Sequence, residues 1–259
     1  RMAAFEPICR SVIRDLVSAV PHGEVVEIAD RFAKDYAVRI QNAFMGWPAE
    51  LEHPLNEWIE KNRRATLAQD SEEMAKIALE FDGYIRTLLQ ARREKPTGDV
   101  TDELLNNVVH LPEGDRCMSE EELVSLIRNW TVGELSTISA SVGIVVKFLA
   151  EHSEEQHRLR QNPQEIAAAV EEIMRLNDPL VSNRRKTLVP VELGGKIIEA
   201  GERITLNWVS ANRDEDVFDD ALNYHPASRA RPKQKFGVWR RYSYLSGGAA
   251  CAIGTTIAD

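Results

Sequence analysis

From Ser119 to His152 the chain runs about 34 residues without a proline and keeps a helical rhythm of apolar side chains, which at 1.5 Å per residue makes a rod about 50 Å long. That is far longer than the usual helix of a globular protein. Its start is marked: Ser119 followed three residues later by Glu122 is a capping box, each side chain positioned to satisfy the other's backbone amide. Two glycines, Gly133 and Gly143, sit inside it. A purely structural helix avoids glycine at about 1 kcal/mol each.

Around this rod the chain reads as mainly α with small β pieces. Phe5, Ile8, Val12, Ile13, Leu16 and Val20 recur at helical spacing, and His22-Gly23 breaks the pattern. Residues 25–28 lean toward β, and residues 29–44 are helical up to the stop Gly46-Trp47-Pro48. Residues 55–67 and 72–93 predict two further helices, the second highly charged and surface-lying, and residues 102–109 a short one. Asn162-Pro163-Gln164-Glu165 opens another helix, which ends near Asn177-Asp178-Pro179. Residues 187–191, 196–198 and 203–206 read as β pieces around a Gly194-Gly195 turn, and regular periodicity ends at Asp214.

With 259 residues the chain has room for one large domain or two small ones. A net charge of −9 argues against a nucleic-acid partner, because phosphate binding needs a basic face. No run approaches the roughly 20 apolar residues of a membrane span, and Arg1-Met2-Ala3 opens directly into an amphipathic helix, with no signal peptide and the aspect of a fragment. Cys9, Cys117 and Cys251 are widely spaced and odd in number, so a reducing cytoplasm is expected. His22, His53, His110, His152, His157 and His225 show no metal-ligand spacing.

The chemistry concentrates between residues 167 and 213. Glu172 and Arg175 lie three apart on one helix face, close enough to pair. A guanidinium held by a carboxylate can accept a further partner from elsewhere in the chain. Ala169-Val170-Glu171-Glu172-Ile173-Met174-Arg175, then Glu192-Leu193-Gly194-Gly195 through Ala200-Gly201-Glu202, then Ala211-Asn212-Arg213-Asp214 with Phe218 follow one another behind the long glycine-bearing helix. In that order they resemble the cytochrome P450 family, whose Glu-x-x-Arg helix locks the core beneath a haem.

The resemblance implies a cytochrome P450 fold, incomplete at both ends, in a single partial domain over residues 1–259. Residues 1–94 resemble helices C to G, 119–152 the long central helix, and 163–214 the K helix with its β hairpin, while 229–259 form an aberrant tail. It implies haem b as cofactor and a haem-thiolate monooxygenase that inserts one oxygen atom of dioxygen into a small organic substrate, with electrons from a ferredoxin and its reductase. In this family the long helix crosses above the haem, where a glycine opens a groove and an acid followed by a threonine delivers protons. Here Val132-Gly133-Glu134-Leu135-Ser136-Thr137 matches, with Leu135 in the acid's place, Ser136 in the threonine's and Glu134 one place early. The resemblance thus assigns Gly133 to the cofactor, Glu134, Ser136 and Thr137 to proton delivery, Arg184 or Arg185 to a haem propionate, and Glu172 with Arg175 to the core.

The family's thiolate loop, Phe-Gly-x-Gly-x-His-x-Cys-x-Gly, is missing. Cys251 with Gly254 comes nearest, one place out of register and without the Phe and His. Read one base later, with permitted third bases, the codons of residues 236–247 give Leu-Ala-Phe-Gly-Ala-Gly-Ile-His-Thr-Cys-Pro-Gly, the complete loop. From about residue 229 the tail therefore reads as an off-frame translation, and Cys251 as a product of the shift. The competing expectation is a haem-free helper protein, or a non-functional product, built on the same fold.

Overall fold

The computed structural model describes residues 2–226. Cys251 and the tail read as off-frame lie outside the described residues. The described chain is mostly helical with small β pieces, as the sequence predicts; these pair as three two-stranded antiparallel sheets, of which the hairpin over 108–117 was not foreseen, and residues 187–190 form no strand. It forms two compact units, one within Arg1–Ser139 and one within Ala140–Asp259.

The first unit contains α1 (Met2–Ser18), α2 (Lys34–Met45), α3 (Glu52–Ala68), α4 (Ser71–Glu94), α5 (Val100–Asn106), the hairpin of β1 (Val108–Leu111) and β2 (Gly114–Cys117), and the first part of α6 (Glu120–Glu151). Along α1, Phe5, Cys9, Ile13 and Leu16 are buried, so Cys9 takes the inward place expected of Ile8, which is exposed. Burial pushes the Cys9 thiol up to about 11. Residues 25–28 make no strand. The Glu27 carboxylate accepts the amides of Ala29, Asp30 and Arg31, and this opens a π-helical turn over Ile28–Ala33 that leads into α2.

α4 is not a surface helix despite its charge. Ile77, Phe81, Ile85, Leu88 and Leu89 form a buried stripe at helical spacing, with the Trp58 ring of α3 4.5 Å from that of Phe81. α5 starts two residues earlier than predicted because the Asp99 carboxylate caps the Asp102 amide at 3.0 Å. Its end makes way for β1. Gly46 closes α2 at φ 74, a left-handed conformation, and a Cβ there would collide with the Asp99 side chain, so glycine is required.

The capping box at the head of α6 is present: Ser119 Oγ accepts the Glu122 amide at 3.2 Å, and Glu122 Oε2 accepts the Ser119 amide at 2.8 Å. A bidentate bond from Arg116, together with that amide, pulls the Glu122 carboxyl down to about 2. By length and composition α6 could cross a membrane, which corrects the sequence expectation that no such run exists. The core helix of a soluble protein passes the same test.

The second unit holds the rest of α6, α7 (Ser153–Gln161), α8 (Ile166–Leu176), β3 (Ser182–Lys186), β4 (Val191–Leu193), β5 (Lys196–Ile198), β6 (Arg203–Asn207) and α9 (Trp208–Ala211). Val145 and Leu149 of α6, Leu159 of α7, and Ile166, Ala169, Val170, Ile173 and Met174 of α8 form its core. The 166, 169, 170, 173 spacing is the apolar stripe that puts one face of α8 inside. β4 pairs with β5 inside the loop between β3 and β6, which pair with each other. Thr187 ties that loop off: its amide donates to Glu202 O, its hydroxyl to Glu199 O, and its carbonyl accepts the Gly201 amide.

Candidate functional site

A helix with one apolar stripe normally turns its charged residues to water. α8 does not: Glu172 and Arg175 are 4% and 2% exposed. The core cluster covers one side of the helix, and chain segment 212–225 supplies Arg175's further partners. Burying a guanidinium requires partners for its five N–H groups, and all five have one. Nε and Nη2 donate to the two carboxylate oxygens of Glu172, at 2.8 and 2.9 Å. Nη1 donates to the carbonyls of Asn212 and Ala221, at 2.6 and 2.7 Å, and Nη2 to that of Asn223, at 3.2 Å. The Phe218 ring centroid lies 5.1 Å from the guanidinium carbon, a cation–π distance. Glu172 Oε1 also accepts the His225 amide at 3.1 Å.

Local chemistry explains why the segment returns to this point. Asn207 caps α9 through the Ser210 amide. Asn212 then donates to Asp178 Oδ2 at 2.6 Å, and Arg213 to the Leu176 carbonyl at 2.5 Å, so Ala211-Asn212-Arg213-Asp214 closes the C-terminal end of α8. Burial raises the Asp178 carboxyl above the usual carboxylate range. Asp214 starts the turn that places Phe218, whose amide donates to Asp214 O at 2.9 Å. The structure thus joins two of the sequence landmarks at one site. Ala221, Asn223 and His225, which complete it, were not singled out from the sequence. They contribute backbone carbonyls and an amide, which every residue type carries.

The remaining candidates lie elsewhere. Gly133, Glu134, Ser136 and Thr137 form one stretch of α6 in the first unit, and Arg184 and Arg185 belong to β3 in the second. Gly133 is exposed, and a Cβ built on it would meet no atom within 4 Å. Ser136 and Thr137 turn their hydroxyls back to helix carbonyls, Ser136 to Val132 at 3.1 Å and Thr137 to Gly133 at 2.8 Å. Glu134 is half-buried, and burial alone lifts its carboxyl above the usual range. Arg184 and Arg185 are both exposed, and successive strand residues point to opposite sheet faces. Arg185 stands opposite Ile204 and Arg184 opposite Thr205.

Gly133 in the first unit and Arg184 and Arg185 in the second are each exposed, and none of them by itself makes a haem cradle. The thiolate is not among the described residues: Cys9 is a buried neutral thiol and Cys117 lies on the exposed β2 strand. No group of three or more potential metal ligands occurs among the described residues.

Comparison with known proteins places the chain beside one family. The family described as Cytochrome P450 matches residues 165–245, from the head of α8 into the tail. The polyketide biosynthesis cytochrome P450 PksS of Bacillus subtilis is 29% identical over 231 residues, 88% of this chain and 56% of its own length. Linalool 8-monooxygenase of Pseudomonas putida is 25% identical over 228 residues, 85% of this chain and 54% of its own. The chain therefore spans a little over half the length of these relatives. The open form of the cytochrome P450 Eryk from S. erythraea superimposes with a TM-score of 0.84 over 99% of this chain and 66% of that one, at 22% identity. The fold is that of a cytochrome P450, and haem is the cofactor that fold implies. By the matched profile, the relatives and the backbone, the chain is similar to the cytochrome P450 family.

Proposed function

We propose that this chain carries the central and K-helix portion of a haem-thiolate monooxygenase that inserts one oxygen atom of dioxygen into a small organic substrate. The observation that carries the reading is the closed Glu172–Arg175 brace, with all five guanidinium N–H groups bonded. Both side chains of the brace are buried, and what it supplies is rigidity. Bound haem would supply the oxygen chemistry, with a thiolate ligand favouring O–O cleavage.

The chain's own residues take separate parts in this reading. Gly133 leaves room on α6. Glu134, with its raised carboxyl, holds a proton nearer neutral pH than an exposed glutamate would. Ser136 and Thr137 carry hydroxyls whose protons rest on the helix carbonyls of Val132 and Gly133. Of the two arginines, Arg185 shares the more buried sheet face, opposite Ile204 and beside Asn183 and Leu206, so Arg185 is the propionate partner.

The substrate class follows the printed names of the relatives, one for polyketide biosynthesis and one for linalool. Electrons would come from a ferredoxin and its reductase. The unpaired thiols Cys9 and Cys117 are consistent with the cytoplasm.

Two measurements test the reading together. The gene is sequenced across codon 229, and the chain, as given and with the frame shifted by one base, is titrated with haem and reduced under carbon monoxide. The shifted chain is expected to give the band typical of thiolate ligation, and the chain as given to give none. An uninterrupted gene whose chain as given shows that band overturns the off-frame reading. A shifted chain that folds and binds no haem overturns the monooxygenase and leaves the helper protein.

A further inference from the structure

The segment that completes the brace ends in three consecutive residues, each tied to a different group. Asn223 gives its carbonyl to Arg175, Tyr224 donates its hydroxyl to Glu155 Oε1 at 2.5 Å, and His225 gives its amide to Glu172. The acceptor is preset. Glu155 on α7 is held from its own helix by Arg158, with Nε to Oε2 at 2.8 Å and Nη2 to Oε1 at 2.6 Å, and Arg158 also pairs with Glu165. The Tyr224 ring lies 4.8 Å from that of Phe148 on α6. A half-buried phenol needs a partner for its hydroxyl, and a carboxylate acceptor makes that bond short and strong.

We infer that Tyr224 is a positioning residue of the Glu172–Arg175 brace, its hydroxyl bond to Glu155 setting the register in which the Asn223 carbonyl and the His225 amide meet Arg175 and Glu172. Ring packing alone lets the segment slide along Phe148. The hydroxyl fixes it to one point on α7. The inference rests on the reading of Glu172 and Arg175 as the brace of the fold.

A competing anchor exists within the segment. Asp220 sits in the left-handed region at φ 51, and its carboxylate accepts the Asn223 amide group at 2.7 Å and lies 2.5 Å from the His225 ring. If this turn holds residues 223–225 by itself, the tyrosine hydroxyl is dispensable.

Amide hydrogen exchange on the full chain separates the two. In Tyr224→Phe the His225 amide is expected to exchange about tenfold faster or more, the factor that corresponds to one hydrogen bond to a charged acceptor, while the amides of α8 keep their native rates. Glu155→Gln, which retains a carbonyl acceptor, is expected to speed the same amide less than Glu155→Ala does. An unchanged His225 amide in Tyr224→Phe overturns the inference in favour of the Asp220 turn. A uniform rise at every amide overturns it in favour of plain packing. Arg175→Lys reports on the brace separately: native exchange and native stability in that variant overturn the brace, whatever Tyr224→Phe shows.

Discussion

Among the described residues three bonded Glu-x-x-Arg pairs share one spacing and one geometry. Glu60–Arg63 on α3, Glu155–Arg158 on α7 and Glu172–Arg175 on α8 each place Nε and Nη2 on the two carboxylate oxygens, at 3.0 and 2.7 Å, 2.8 and 2.6 Å, and 2.8 and 2.9 Å. Their surroundings differ completely. In the first pair both side chains are solvent-exposed to a third or more, and in the last they are 1% and 4% exposed. A pair in water gains little, because water competes for both ions and the side chains lose entropy. A buried pair cannot be halved, because whichever charge remains has neither water nor partner. What separates a surface pair from a brace is therefore the return of segment 212–225.

The largest effect expected from this contrast is at Arg175. Arg175→Ala leaves the Glu172 carboxylate buried and strips the carbonyls of Asn212, Ala221 and Asn223 of a donor. A loss of about 3–5 kcal/mol is expected, a large part of the 5–15 kcal/mol typical of a domain. Urea denaturation followed by circular dichroism measures it. A loss as small as that of a surface pair would erase the distinction between the helices.

The middle pair sharpens the comparison through pH. Hydrogen bonds from Arg158 hold the Glu155 carboxyl below the usual range, with a further one from Tyr224. A folded-state value below the unfolded one stabilises above the unfolded value near pH 4.3 and is lost as pH falls through the folded value. Glu155→Gln is therefore expected to lie below the native protein in stability at neutral pH, and the gap to close in acid. A gap that persists unchanged to pH 2 would mean that the carboxylate charge contributes nothing.

Glu134 gives the opposite sign. Burial without a compensating cation raises its carboxyl, so its contribution is present below the unfolded value and lost as pH rises through the folded one. Glu134→Gln is expected to stabilise the chain modestly at neutral pH and to match the native protein below about pH 4. Destabilisation at neutral pH would show that the carboxylate has a partner, and would remove Glu134 as a proton carrier.

The same three pairs show what a sequence can and cannot reveal. The rod of α6, its capping box and the opening and end of α8 were legible, because periodicity and caps are local rules carried by side-chain type. The pairing of Glu172 with Arg175 was legible as spacing, and its burial only through the order of the later landmarks. The acceptors on Arg175 were not, since carbonyls have no signature. Neither was the latch at Tyr224, which joins residues 69 apart. The β-leaning residues 25–28 failed for a local reason: Glu27 caps the amides of Ala29, Asp30 and Arg31 and so opens a helical turn at Ile28. The sequence left Arg184 and Arg185 open, and the register of β3 against β6 puts the two on opposite faces.

The smallest effect is expected at Arg63, and it bears most directly on the contrast. Its hydrogen bond to Glu60 holds that carboxyl below the usual range and raises its own guanidinium, so the two charges do interact. Interaction and stability are separate quantities here. Arg64 also reaches Glu60, at 3.7 Å, and in the absence of Arg63 water replaces the lost hydrogen bonds. Arg63→Ala is accordingly expected to leave the urea midpoint where it is, while the Glu60 carboxyl, followed by carbon NMR against pH, moves up toward its ordinary range. If the midpoint of Arg63→Ala fell as far as that of Arg175→Ala, the bidentate geometry itself would carry the energy, and burial beneath residues 212–225 would no longer explain why α8 is the helix that braces the fold.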